Sequence, residues 1–161
     1  MVIILKDRHG FSLIELVVTI TILTILAAAI MPLRGMTAQR TREIELRRNL
    51  RVIRIALDDF KKSFDKMPAG PLKTGTGCPK SLKVLVDGYD FGEITGGTKK
   101  FLRRIPRDPF NPYRGDEEEK MWGLRSYGDK ADSTTWGGDD VYDVYSLSEG
   151  TAIDGTKYKE W

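Results

Sequence analysis

A chain of 161 residues has room for one domain, and a formal net charge of +3 with 40% hydrophobic content is that of a globular protein rather than a disordered one. A single cysteine, Cys78, excludes a disulfide framework or a cysteine-built zinc site within the chain, and a single histidine at position 9 leaves everything after it without a Ser-His-Asp or Cys-His centre. Charge is polarised along the chain: residues 11–31 hold only Glu15, residues 33–66 carry ten Lys/Arg against five Asp/Glu, and residues 108–161 carry six against thirteen.

The chain opens on a short leader, 1–10, containing Lys6 and Arg8, and continues into FSLIELVVTITILTILAAAIM over 11–31. At ~1.5 Å per residue this run reaches about 30 Å as a helix, the thickness of a bilayer's hydrocarbon core. Length and flanks alone leave two readings open, a retained spanning helix or a cleaved secretory signal ending at Ala27-Ala28-Ala29. Glu15 separates them. A carboxylate inside an apolar run costs ~2.5 kcal/mol or more near the bilayer centre, so it requires a partner. A cut after Gly10 would create an α-amino group on Phe11, one helical turn from Glu15, able to neutralise it within one chain or between staggered neighbours. The positive charge after the run, six Arg between 32 and 51, exceeds that of the leader, and by charge alone this points to the opposite membrane orientation.

Pro32 lacks a backbone donor and predicts a kink or a loosened turn where the helix leaves the bilayer. Beyond it, Leu46, Leu50, Ile53, Leu57, Phe60 and Phe64 recur at helical spacing, so an amphipathic continuation over 33–66 is predicted, ending near Lys66 before Met67-Pro68-Ala69-Gly70-Pro71. Its arginines interleave with apolar residues and with Glu43 and Glu45, which reads as a solvated or lipid-facing helix surface with no nucleic-acid motif beside it.

Residues 67–161 form a head large enough for a small core when one helix face is donated to it. Ser81–Val86 reads as a short helix or strand, Arg125–Tyr127 and Val141–Leu147 as half-buried strands, and Asp116–Glu119 as a solvated acidic loop. The fold class expected is α+β: a long N-terminal helix, half transmembrane and half amphipathic, packed on a small antiparallel sheet with a loop-rich C-terminal region.

Residues Arg8 to Leu16, with Gly10, Phe11 and Glu15 in fixed order, resemble the class III signal of type IV pilins and type II secretion pseudopilins, and Pro32 fits that pattern. Two further segments, Phe101–Phe110 and Tyr142–Leu147, resemble the major, G-type pseudopilin, as does the Trp at 161. The resemblance implies that prepilin peptidase cuts between Gly10 and Phe11, that the new amine of Phe11 is methylated, and that Phe11, Glu15 and Pro32 serve assembly. It also implies a homopolymer joined by minor pseudopilins, an inner-membrane assembly platform, and a single-pass inner-membrane chain with its head in the periplasm. Major pseudopilins bind calcium in the loop after the last strand; here Leu147, Glu149 and Asp154 are the candidate ligands, although the family's acidic pair is not in register.

The function implied is structural: a subunit of a type II secretion pseudopilus that drives protein export across the outer membrane. A type IV pilus subunit is the alternative within the family, and a membrane-anchored extracytoplasmic binding module is the rival outside it. No catalytic residues are assigned. Cys78 has no base nearby in sequence, the carboxylates fall in ordinary surface runs, and neither a Walker A sequence nor a dinucleotide fingerprint is present.

Overall fold

The computed structural model describes residues 10, 12–67, 75–92 and 97–161, with side chains described at all of these except 29–35. The chain divides into two units, residues 1–39 and 40–161, and the division falls within the long helix α1, Leu13–Asp65. The Phe11 expectation therefore lies outside the described residues, as does any statement about the Pro32 side chain.

In the second unit, α1 presents the stripe its spacing predicts. Leu46, Leu50, Ile53, Leu57, Phe60 and Phe64 are all buried, joined by Ala56 and Met67. Every third or fourth residue lies on one face of a 3.6-residue helix, so the apolar positions form a single strip. The helix ends at Asp65 with Lys62 in its last turn, where a cation suits the negative end of the helix dipole. The Met67 amide then donates to the Phe64 carbonyl at 3.0 Å and closes the end.

Against that strip lie short elements. Helix α2, Lys83–Asp87, ends at Gly88, whose φ of 101° is a conformation that favours glycine. Strands β1, Tyr89–Asp90, and β2, Thr98–Lys99, pair antiparallel with Tyr89 opposite Lys99. Helix α3, Glu118–Met121, leads into β3, Gly123–Arg125, which pairs antiparallel with β4, Asp143–Tyr145, in the register Gly123–Tyr145, Leu124–Val144 and Arg125–Asp143. Among the described residues, the single small sheet expected from sequence is thus two separate two-stranded ribbons. Ribbons this short have little stability alone, and they are held by the residues they bury on α1.

At one end of the core the rings of Phe60, Tyr89, Phe91 and Phe101 interlock, with Phe60 lying 5.3–5.5 Å from the other three. Trp122 is fully buried beside Leu82, Leu85, Val141 and Val144, and its indole N–H donates to the Pro106 carbonyl at 2.9 Å, so burial strands no polar atom there.

Several expectations shift. The segment expected over Ser81–Val86 forms the helix Lys83–Asp87, the strand expected at Arg125–Tyr127 lies two residues earlier at Gly123–Arg125, and the one expected at Val141–Leu147 contracts to Asp143–Tyr145. The acidic run is only partly solvated: Glu118 turns inward and accepts the Leu82 and Lys83 amides, each at 2.6 Å, at the start of α2. Two of the nearby aspartates, Asp140 and Asp143, are also structural, whereas Asp139 is exposed. Asp140 is buried and accepts the Tyr127 amide at 2.9 Å and the Thr76 hydroxyl, while Asp143 lies between two arginines.

Candidate functional site

The site residues singled out from sequence lie in two places, the start of α1 and the loop after β4. In the first unit, the side chains from Leu13 to Leu26 are apolar on every side of the helix. The large hydrophobic ones, Leu13, Ile14, Leu16, Val17, Val18, Ile20, Ile22, Leu23, Ile25 and Leu26, are between 48% and 81% exposed. The polar interruptions are silenced locally. Thr19, Thr21 and Thr24 donate their hydroxyls to the carbonyls of Leu16, Val17 and Ile20 at 2.8–2.9 Å, so they add methyl groups to the surface rather than unmet donors. Glu15 is exposed in the first turn of α1 and has no ion-pair partner among the described residues. An all-round apolar helix requires a hydrophobic surrounding, either lipid or other helices, and a carboxylate within it requires a cation. Among the described residues no helix is long and apolar enough to cross a membrane; the apolar run of 11–31 also takes in Phe11 and the side chains of 29–31, which lie outside them.

The loop after β4 is tied to α1 at three points of one helix face. Glu43 accepts the Ile153 amide and the Tyr158 hydroxyl, both at 2.9 Å. Arg47 donates to Asp154 Oδ2 at 2.9 Å. Arg54 donates to the main-chain oxygens of Val144 and Trp161 at 3.0 and 2.8 Å. Within the loop, Ala152 and Thr156 pair through the backbone at 2.8 Å, and Tyr158 is buried with its ring stacked on Phe110. The three candidate calcium ligands fall here. Leu147 is exposed just past β4, Glu149 faces the Lys159 ammonium at 3.0 Å, and Asp154 faces Arg47. The Asp154 carboxyl is held below the usual aspartate range by the Thr156 hydroxyl and amide first, and by Arg47 after them.

Residues 5–31 match the family model of the prokaryotic N-terminal methylation motif. The chain is also similar to the type II secretion system core protein G of Pseudomonas aeruginosa, 28% identical over 116 residues that cover 68% of this chain and 73% of that protein. No solved structure matches it. The first match covers the N-terminal segment and the second most of the chain, and both accord with the resemblance to type IV pilins and type II secretion pseudopilins. The similarity to a core protein G agrees with the resemblance to the G-type subunit.

The matched motif spans Gly10, Phe11 and Glu15, the residues singled out from sequence. In the loop after β4 two of the candidate calcium donors, Glu149 and Asp154, are already engaged within the chain. A hard cation needs six to eight converging oxygens, whereas Glu149 and Asp154 each face a cation supplied by the chain itself, and the described residues contain no group of three or more acidic, histidine or cysteine side chains suited to a metal. Sequence reasoning missed Glu43, Arg47 and Arg54 as the loop's partners. Their spacing of four and seven residues on one helix face was the available signal, but it reads equally as an ordinary solvated face.

Proposed function

We propose that the chain is a structural subunit of a type II secretion pseudopilus, processed between Gly10 and Phe11 and methylated at the new Phe11 amine. Mature subunits wait in the inner membrane, anchored by the apolar part of α1, with the head in the periplasm. They are drawn into a helical filament as these helices pack on one another, together with minor pseudopilins and an assembly platform, and the filament serves protein export across the outer membrane.

The observation that carries this reading is the helix surface over 13–26, apolar on all sides and interrupted by the single carboxylate of Glu15. Packing of identical helices removes the apolar surface from both water and lipid. A staggered neighbour brings its Phe11 amine to the depth of Glu15, where the low dielectric makes one correct pairing strongly preferred over a register that leaves the charge alone. Glu15 thus acts as a register mark and Phe11 as its counter-charge, while Pro32 lies at the end of the packed segment.

The deciding experiment is N-terminal sequencing of the chain recovered from its own membranes. A mature chain beginning at methylated Phe11 is expected; one beginning at Met1 overturns the reading. Imaging the filament in place tests its type, since a periplasmic fibre belongs to secretion and a long extracellular fibre to a pilus.

A further inference from the structure

The loop after β4 is where the family resemblance implies a metal, and where the donors of this chain are already committed. Both oxygens of Asp154 are engaged: Oδ1 accepts the Thr156 amide at 3.0 Å and its hydroxyl at 2.6 Å, and Oδ2 accepts from Arg47 at 2.9 Å. The indole N–H of Trp161 donates to Thr156 Oγ1 at 2.7 Å, and the Trp161 ring lies under the Arg47 guanidinium, 4.0 Å from its centroid. Arg47, Asp154, Thr156 and Trp161 therefore form a closed ring of four contacts, each member touching the next and the last touching the first.

We propose that this ring is a metal-independent clasp, in which the Arg47 guanidinium supplies the positive charge that closes the loop onto the helix. Each contact alone is weak. Arg47 and Asp154 are 58% and 50% exposed, and a surface ion pair of that kind contributes little. Closure changes this, because each member holds its neighbour in the rotamer the next contact needs, so the ordering entropy is spent on four contacts at once. The guanidinium is well shaped for this role, since its plane stacks on an indole while its edge meets a carboxylate, which a spherical ion does not do. Glu43 and Arg54 secure the two ends of the same segment, at Ile153 and at the main-chain oxygen of Trp161. A divalent cation entering at Asp154 would have to displace the guanidinium from Oδ2 and the hydroxyl from Oδ1, and would find Glu149 occupied by Lys159.

The test uses the full chain in detergent micelles, followed by thermal unfolding and by limited proteolysis within 148–157, in millimolar calcium chloride and in EGTA. Equal unfolding midpoints and equal cleavage rates in the two conditions are expected. A midpoint that rises with calcium, or a loop cleaved faster in EGTA, overturns the proposal. Arg47→Ala and Trp161→Ala are each expected to raise the cleavage rate in the loop about fivefold, the scale of one exposed cation–π or ion-pair contact, and the double variant no further. Loop protection unchanged in Arg47→Ala, or fully additive effects in the double variant, would equally sink the closed ring. Because the readout is local to the loop, it does not depend on whether the chain builds a secretion filament or a pilus.

Discussion

Arg54 on α1 and Asp143 on β4 meet at 2.7 Å across 89 positions of sequence. A second guanidinium, that of the largely buried Arg125, approaches the other carboxylate oxygen at 3.3 Å. Asp143 is therefore the one negative charge between two positive ones, and Arg54 Nη2 also donates to the Val144 and Trp161 oxygens. This cluster joins the helix, the second ribbon and the end of the clasped loop.

Arg54→Ala should lower head stability by about 2 kcal/mol, since it leaves two main-chain oxygens and a carboxylate edge without a donor. Asp143→Asn should cost a similar amount by another route, leaving Arg54 and Arg125 facing a neutral group. Chemical denaturation of the two single variants and the double variant gives the coupling, and purely additive losses would show that the charges act separately.

The parts of this cluster were legible to very different degrees. The stripe from Leu46 to Phe64 could be read because burial repeats with the helix period, so each residue's role follows from its immediate neighbours. Arg54 is one of many arginines off that stripe, and its partner lies in a segment with several aspartates. Glu118 is a similar case: its carboxylate serves amides 35 and 36 residues away, and nothing in Asp116–Glu119 distinguishes it from its neighbours. The ribbon of β1 and β2 pairs two residues with two, too short for any alternation to register. Motif and period are local properties; caps, clasps and charge clusters depend on which distant segments the core brings together.

Phe60→Ala should be among the most destabilising single changes in the head. The ring is 1% exposed and touches Tyr89, Phe91 and Phe101, so its loss opens a cavity that three rings line. A cost of about 4 kcal/mol is expected in equilibrium unfolding. A cost near 1 kcal/mol would mean that the aromatic cluster closes over the gap.

Glu118→Ala should loosen α2 without disturbing the β3–β4 ribbon. Two amides at the start of a five-residue helix lose a charged acceptor, a change expected to cost about 1–2 kcal/mol. Hydrogen exchange at Leu82 and Lys83 is the direct measurement, and protection equal to that of the parent chain would count against the cap.

Acid should weaken the loop that precedes β4. Asp129 accepts the amides of Ser126 and Gly137 at 2.7 and 3.1 Å, and these bonds hold its carboxyl below the ordinary aspartate value of 3.8. With the folded pKa depressed, the unfolded chain binds the proton first. The contribution is complete above the ordinary value and is lost as pH falls through the lower, folded one. Asp129→Asn should flatten that part of the stability profile, measured by thermal unfolding across the acid range. An unchanged acid slope would assign the loss to other carboxylates.

Gly123 offers a prediction in which stereochemistry alone decides. It pairs with Tyr145 across the β3–β4 ribbon, and the Tyr145 ring occupies the space that a side chain at 123 would need. The ring is fixed from two other directions: its hydroxyl donates to the Thr134 carbonyl at 3.1 Å, and the Arg125 guanidinium lies 4.2 Å from its centroid. Gly123 does not have a positive φ, so alanine is acceptable to the backbone and the penalty is entirely the collision with the ring. Gly123→Ala should therefore cost about 1–3 kcal/mol as the tyrosine is pushed off both contacts. In the double variant Gly123→Ala with Tyr145→Ala the collision is gone, so the added cost of the alanine at 123 should largely vanish. If that cost persists without the tyrosine ring, the requirement for glycine lies in the strand itself and the cross-strand account is wrong.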